Sequence, residues 1–594
     1  MSLNILDYPF DAAALLQKRR ALKAEWSART DLTPKRVAIL SGVTVGVFQD
    51  LLELWLLANG IRPTFYQGGY GLFYEQLVYD NSELKAFAPD VIYLHTSMRN
   101  IRQWPAADAP QAQAAALLAD ETAHFSQAAQ AALSLGCPVI LNNFDLPVYR
   151  LMGNRDGTLP AGHVRFVRQL NEALAQLAAD TPNLYINDLA YLQALHGMDE
   201  FSDQTAWYAY KYPCAMGKLP YLAQSVANII KSLFGKNKKA LALDLDNTLW
   251  GGVIGDDGAD GIVMGTETPE GMAYTEFQTY LKGLGRLGVL LNVNSKNEAS
   301  VAVQGFERPD SVLKKDDFVC FKANWEPKSR NLTEMAAEIN IFPDAFVFLD
   351  DNPAEREIVR QQVPGVAVPE LGTPEQYISS VDRSGYFELT SFSADDSHRT
   401  EMYRENARRT QLQQSFQNYE DYLHSLEMTG EFGAFDAAHA PRITQLINKS
   451  NQFNLTTRRY SAAEIDALVG APDYITLYGR LRDRFGDNGI VSVIIGHIEG
   501  DTLDIALWVM SCRVLKRDME KAMLDCLVHD ALARGLRALR GHYYPTAKNL
   551  PVKDFYDTMG FTLQSADEQG NKEYLLPLEA GRSDACRTID IHRI

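Results

Sequence analysis

The chain has 594 residues, 46% of them hydrophobic, and a formal net charge of −18. That length leaves room for roughly three or four domains, the apolar content is that of a globular protein with substantial cores, and the acidity argues against a nucleic-acid partner. The six cysteines form no CxxC pair, the N-terminal stretch lacks the apolar core of a signal peptide, and no apolar run approaches the roughly 18 residues of a membrane span, so a soluble cytoplasmic chain without a membrane partner is expected.

Residues 1–233 open with a helical segment and then alternate strands and helices. The strands are predicted at Val37–Ser41, Thr64–Tyr66, Asp90–His95, Pro138–Asn142 and Leu184–Asn187, with helical patterns such as Phe48–Asn59 and Gln111–Leu135 between them. That alternation predicts a parallel sheet covered on both faces, with Ser41-Gly42, Gly68-Gly69 and Asn142-Asn143 gathered at the carboxyl edge. The block resembles an SGNH-type hydrolase, which would make Ser41 a nucleophile. The late Asp-x-x-His of that family has no counterpart, because the stretch from Asp203 to Pro213 contains no histidine. A serine without a base is a poor nucleophile, so binding rather than hydrolysis is expected of this domain.

The second block, 237–385, begins with ALALDLDNTLWGGVIG. A buried strand, Ala240 to Leu243, runs into Asp244, a spacer and Asp246-Asn247-Thr248. Asp and Asn also favour turns, but two carboxylates one residue apart suit phosphoryl transfer. The first can attack phosphorus, and the second can protonate the leaving oxygen and then activate water. Mg²⁺ would suit their charge. The strand Val289 to Asn294 then ends in Ser295, NWEPKS places Lys328 ahead of a helical pattern, and FVFLDDNP ends a third strand in Asp350-Asp351.

In that order these resemble the four motifs of the haloacid dehalogenase (HAD) superfamily. The resemblance implies Asp244 as nucleophile, Asp246 as general acid and base, and Ser295 and Lys328 as holders of the phosphoryl group. Asp244, Asp246 and one or both of Asp350 and Asp351 would be the Mg²⁺ ligands. Asn247, Thr248, Trp250, Gly251, Gly252, Lys296 and Asn297 flank the motifs and are the candidates for contacting substrate. The intervals between motifs are filled by a Gly-rich flap (Gly251 to Gly261), a helix (Pro269 to Leu287) and one further αβ unit. No cap domain fits, so the site should be open to a large substrate. A last strand is expected in Val363 to Leu371.

A polar linker from Thr390 and a charged helical pattern at 399–426 make up a connector, 386–426. The third block, 427–578, has predicted strands at Ile475–Leu481, Gly489–Glu499, Thr502–Met510 and Ala538–Tyr543, and a helix at Met519–Arg534. A turn between Arg482 and Gly489 joins the first two strands. This block resembles a GNAT acyltransferase. In that fold the loop and helix start after the central strand bind pyrophosphate through backbone N–H groups. Here the loop reads Arg513-Val-Leu-Lys516-Arg517-Asp518, without the usual glycines, so ordinary acetyl-CoA binding is not expected. Arg513, Lys516 and Arg517 are instead candidates for a phosphopantetheine arm. Residues 579–594 read as a tail.

Taken together, DLDNTLWGGVIG, NWEPKS, FLDDNPAERE, NQFNLTTRR, DRFGDNG and SCRV resemble the FkbH-like family over nearly the whole chain. The fold class expected is α/β in three domains: an SGNH/flavodoxin-like parallel sheet, a capless HAD Rossmann-like domain and a GNAT-like domain. The resemblance implies transfer of a glyceryl unit from 1,3-bisphosphoglycerate, a small phosphorylated three-carbon metabolite, onto an acyl carrier protein for polyketide-type biosynthesis. A covalent acyl-enzyme would need a reactive thiol. Cys512, beside Arg513 and a helix start, is a better candidate than Cys320 in an apolar strand. Arg458-Arg459, Arg480, Arg482, Arg484 and Lys516-Arg517 could form a basic face for an acidic carrier. A plain Mg²⁺-dependent phosphatase and a non-catalytic carrier-binding scaffold are the alternatives.

Overall fold

The computed structural model describes residues 3–392, 398–450, 452–546, 548–579 and 584–594. Part of the expected linker (393–397), Asn451 of NQFNLTTRR and part of the tail (580–583) lie outside the described residues. The chain divides into two compact units, residues 1–236 and 237–594.

In the first unit, strands β1 (Thr33–Ser41), β2 (Ile61–Gln67), β3 (Val91–His95), β4 (Val139–Asn142) and β5 (Leu184–Asn187) form one parallel sheet in the order β2-β1-β3-β4-β5. This is the flavodoxin-type order, whose crevice opens at the carboxyl ends of the strands where the order reverses, between β1 and β3. Val91–His95 and Val139–Asn142 are buried throughout, because helices cover both faces. Alternate residues feed two separate cores: Val37, Ile39, Val91 and Tyr93 face one way, and Ala38, Leu40, Ile92 and Leu94 the other.

The second unit carries two sheets. β6 (Ala240–Leu243), β7 (Leu290–Ser295), β8 (Phe318–Ala323) and β9 (Phe346–Leu349) are parallel, in the order β8-β7-β6-β9. Leu241, Leu243, Leu291, Val293, Val347 and Leu349 pack on one face, and Ala240, Ala242, Leu290, Phe346 and Phe348 on the other. The strand expected in Val363 to Leu371 is reduced to a single bridge, Ala367 to Val347. A turn at Pro364-Gly365 and the donor lost at Pro369 leave that stretch little room for a ladder.

The larger sheet runs β16-β17-β15-β14-β13-β12-β10-β18, with β10 at Met428–Gly433, β12 at Tyr474–Asp483, β13 at Gly486–Glu499, β14 at Thr502–Met510, β15 at Ala538–Tyr543, β16 at Thr562–Ala566, β17 at Lys572–Pro577 and β18 at Ile589–Arg593. β12 and β13 form the expected hairpin, closed by Arg484 and Phe485. The expected tail is corrected by the structure: Ile589–Arg593 adds a parallel edge strand to β10. Ile589 joins the core there, a reward that a sequence scan for isolated segments does not see. β11 (Phe453–Asn454) pairs with the far end of β14.

The connector is two helices, Arg399–Gln414 and Tyr419–Ser425. The first reaches both sheets. Its Tyr403 joins the core of the parallel sheet, and its Arg409 donates through Nε and Nη2 to Asp483 at the end of β12, at 2.9 Å each. Arg517 also pairs with Asp483, whose side chain is fully buried. Burial alone would raise the Asp483 carboxyl, but the Arg517 and Arg409 guanidinium groups outweigh it and hold it below its ordinary value. Removing one partner of a buried charge cluster strands the others. Asp483→Ala is therefore expected to cost about 3–5 kcal/mol in urea unfolding of the larger sheet. An unchanged midpoint would show the cluster to be dispensable.

Candidate phosphoryl-transfer site

Parallel strands deliver their carboxyl ends to one edge, and the motif residues follow. Asp244 leaves β6, Ser295 ends β7, and Asp350 and Asp351 leave β9. Lys328 opens the helix Lys328–Glu338 after β8. Its ammonium lies 2.9 Å from Asp244 Oδ1 and 2.5 Å from Asp350 Oδ2, and all three side chains are at most 8% exposed. The Ser295 hydroxyl faces the Asp244 carboxylate and helps to lower its pKa. Burial pushes the Asp244 carboxyl up and the Lys328 ammonium opposes it; burial likewise raises Asp350 and, with Asp244 nearby, Asp351.

Asp244, Asp350 and Asp351 each offer one oxygen, and these atoms all lie within 4.8 Å of one another. One ammonium cannot balance three carboxylates so close together. An all-oxygen set with surplus negative charge fits a hard divalent cation such as Mg²⁺. Asp350 and Asp351 both belong to the set. Asp246, also expected among the Mg²⁺ ligands, has its side chain outside this set. Its Oδ1 accepts from Trp250 Nε1 (2.9 Å) and from the Ile254 N–H (3.1 Å), and its Oδ2 from Asn297 Nδ2 (2.8 Å). These donors aim the carboxylate at the flap side, which suits proton transfer rather than cation binding.

The remaining flanking residues divide into two roles. Thr248 is fully buried, and its hydroxyl accepts from the Asp351 N–H at 3.2 Å. Asn247 adopts φ 53°, with its side chain accepting from the Gly252 N–H. Its carbonyl accepts from Tyr377 Oη at 2.8 Å, so it shapes the turn. Gly251 bridges to Val263 in both directions and pins the flap. Asn297 links Asp246 to Ser295. Lys296 stands at the rim, 2.5 Å from Glu355. Trp250 is corrected as a substrate contact: its ring is fully buried against Phe306, and only its Nε1 serves the site, through Asp246.

Three supporting residues escaped the sequence reading. Asn294 donates to the Lys328 carbonyl (2.9 Å) and is itself bonded by Asn331. Arg356 donates to the carbonyls of Asp350 and Asp351 at 2.8 and 2.7 Å. The asparagines stood in view in NVNSK and SRNL, but their side chains act on backbone atoms, a role that spacing does not reveal.

The family described as "FkbH, N-terminal domain" matches residues 55–231. A solved structure, the N-terminal part of the protein BF1531 from Bacteroides fragilis containing a phosphatase domain and complexed with Mg, is 30% identical, with TM-score 0.59, and the match covers 63% of this chain and 99% of that one. The chain belongs to the FkbH-like family. The ribosomal-protein-S18-alanine N-acetyltransferase of Escherichia coli also matches at 12% identity (27% of this chain, all of that one, TM-score 0.21). So does a GNAT-family acetyltransferase of Streptococcus pneumoniae at 15% (25% and 99%, TM-score 0.22). No curated protein matches the chain by sequence.

Other candidates in this FkbH-like chain have partners of their own. Ser41 is buried, its hydroxyl donating to the carbonyls of Val43 and His95, and Asp203 caps a helix through the Ala206 N–H. The carbonyl of Cys512 accepts from Asn340 Nδ2 at 2.7 Å, and its Sγ lies 3.9 Å from Tyr403 Oη. Asn340 lies in the turn leading into β9, at the amino edge of the parallel sheet. Asp244 stands at the opposite edge, about 13 Å away along β6 at the usual rise per residue. Cys512 therefore does not share a site with Asp244. Cys320 is buried and its thiol is pushed up to about 12, chiefly by burial.

The expected basic face is corrected too. Arg517 is buried on Asp483, Arg480 and Arg482 pair with Asp487 and Glu431, and Arg459 donates to the carbonyls of Ile447 and Ser450. Arg513 turns its guanidinium onto Ser511 and the Asn488 carbonyl. Lys516 is exposed, in a left-handed turn. Asp483, Asp487 and Glu431 offset the charge of Arg517, Arg480 and Arg482, which their spacing alone did not suggest. Among the described residues, no helix is long and apolar enough to cross a membrane.

Asn297 offers a direct test of how Asp246 is held. A hydrogen bond to a charged group contributes about 1.5–3 kcal/mol, so Asn297→Ala should lower kcat for phosphate release roughly 10- to 100-fold and leave the fold intact by circular dichroism. An unchanged kcat would mean that Asp246 is positioned without it.

Proposed function

We propose that this protein is a phosphatase and acyltransferase that loads a glyceryl or related three-carbon acyl unit from 1,3-bisphosphoglycerate onto an acyl carrier protein. The observation that carries the phosphoryl half is the buried ammonium of Lys328 between Asp244 and Asp350, beside Asp351. Membership of the FkbH-like family supports the acyl half.

In this reading Asp244 attacks phosphorus. The bond from phosphorus to the leaving oxygen breaks, and Asp246 gives that oxygen its proton. Asp246 then takes a proton from water, which attacks the aspartyl-phosphate and frees Asp244 and inorganic phosphate. Lys328 and Ser295 hold the phosphoryl oxygens and balance their charge. Asp244, Asp350 and Asp351 would hold Mg²⁺, the ion in the BF1531 structure, which supplies charge neutralisation at the phosphoryl group. In the acyl step a thiol attacks the carbonyl carbon of the acyl phosphate, phosphate leaves with the C–O electrons, and the thiol proton passes to solvent. The phosphopantetheine thiol of the carrier is the final acceptor.

The separation of Cys512 from Asp244 favours a second reading, a Mg²⁺-dependent phosphatase of a small phosphorylated metabolite in which Cys512 takes no part. Intact mass after mixing with 1,3-bisphosphoglycerate and Mg²⁺ decides between them. A thiol-labile glyceryl adduct, lost in Cys512→Ala, is expected for the transferase. Phosphate release that is abolished in Asp244→Asn, without any adduct or carrier loading, would establish the phosphatase instead.

A further inference from the structure

The first unit carries a basic surface that the acidity of the whole chain conceals. The stretch that follows β4, residues 145–168, contains four arginines and two aspartates. Both aspartates are buried and use their carboxylates inward. Asp145 accepts from the Met98 N–H at 2.9 Å, and Asp156 from the N–H groups of Val164 (2.7 Å) and Met152 (3.4 Å). The arginines gather around one turn. Arg150 donates to Asn154 Oδ1 (2.9 Å), Arg155 stands in the turn Gly153–Gly157, and Arg165 donates to the Thr158 carbonyl. Arg168 passes so close to Gly157 that a Cβ there would lie 3.4 Å from its Nη1. Among the described residues none of the four pairs with a carboxylate, Glu172 one helical turn beyond Arg168 included.

Apolar side chains stand in the same place. Tyr149 and Leu151 flank Arg150 and are 75% and 77% exposed; Leu151 is the most exposed large apolar side chain among the described residues. The loop that presents them is tied at its base. Asn171 bonds the N–H and the carbonyl of Phe144 (2.8 and 2.7 Å), and Gln193 those of Leu146 (2.7 and 2.9 Å). Such ties reduce the ordering that a partner must impose on binding. An unpaired guanidinium accepts a carboxylate in bidentate fashion, and protein-binding surfaces are enriched in arginine and tyrosine. A nucleic-acid backbone would use the guanidinium groups but gain nothing from Leu151, and a chain of net charge −18 repels a long polyanion.

We propose that Tyr149, Arg150, Leu151, Arg155, Arg165 and Arg168 form a docking surface for an acidic, amphipathic segment of a partner protein. The partner's carboxylates lie on the guanidinium groups, and its apolar side chains cover Tyr149 and Leu151. None of these residues belongs to the phosphoryl site, so the surface stands or falls independently of the proposed reaction.

Fluorescence anisotropy with the full-length protein tests this. The probe is a fluorescein-labelled amphipathic helical peptide of glutamate and leucine alone, compared with labelled polyglutamate and a labelled single-stranded oligonucleotide. The peptide should bind saturably, and more tightly than either comparison probe. Exchanging Arg150, Arg155 and Arg168 together for serine should weaken it about tenfold or more, as should Tyr149→Ser with Leu151→Ser. All the exchanged side chains are exposed, so both variants should keep the native circular dichroism. Absence of saturable peptide binding, or undiminished binding by either variant, would overturn the proposal. Equal binding of polyglutamate would remove the apolar half and overturn it too, and tighter binding of the oligonucleotide would make the surface a nucleic-acid site instead.

Discussion

A single ammonium, that of Lys328, sits between two buried carboxylates, and the edge of the parallel sheet is organised around it. Charges taken out of water must be paired, and Lys328 pairs Asp244 with Asp350 at 2.9 and 2.5 Å. The pairing is incomplete because Asp351 adds a further carboxylate within reach. That shortfall is the useful feature. It leaves a place for a divalent cation and, through it, for phosphate oxygens. The scaffold holds this arrangement from behind: Asn294 and Asn331 fix the backbone of Lys328, and Arg356 ties the carbonyls of Asp350 and Asp351.

Asp246 illustrates how one residue of spacing separates two tasks. It follows Asp244 by two positions, yet its carboxylate faces Trp250, Ile254 and Asn297 instead of the lysine. In the proposed reaction the first carboxylate, beside the Lys328 ammonium, is the nucleophile, and the second, among neutral donors, carries the proton. Cys512 lies at the other edge of the same sheet, against Asn340 and Tyr403. A reaction that uses both edges would need a substrate that travels, and a carrier-borne arm has that property. The helix Arg399–Gln414 touches both sheets of this unit, through Tyr403 and Arg409.

Much of this was legible in the sequence for a simple reason. Apolar runs that end in Asp, Ser or Asp-Asp mark strand ends, and parallel strands bring those ends to one edge. The order of the motifs therefore implied the convergence of Asp244, Ser295, Lys328 and Asp350-Asp351. What stayed hidden depends on partners distant in sequence. Trp250 and Arg517 look exposed beside glycines and lysine, but Phe306 buries one and Asp483 the other. The arginines of β12 read as a basic stripe until Asp487 and Glu431 are set against them. The edge strand Ile589–Arg593 depends on an open flank of β10 that no local pattern announces.

The central claim is that Asp244, Asp350 and Asp351 form one cation site completed by Lys328. Calorimetric titration of Mg²⁺ into the full-length protein, beside Asp351→Asn, tests it most directly. The account predicts binding of one Mg²⁺ per chain, lost or severely weakened in the variant. Absence of binding, or equal binding by Asp351→Asn, would contradict it.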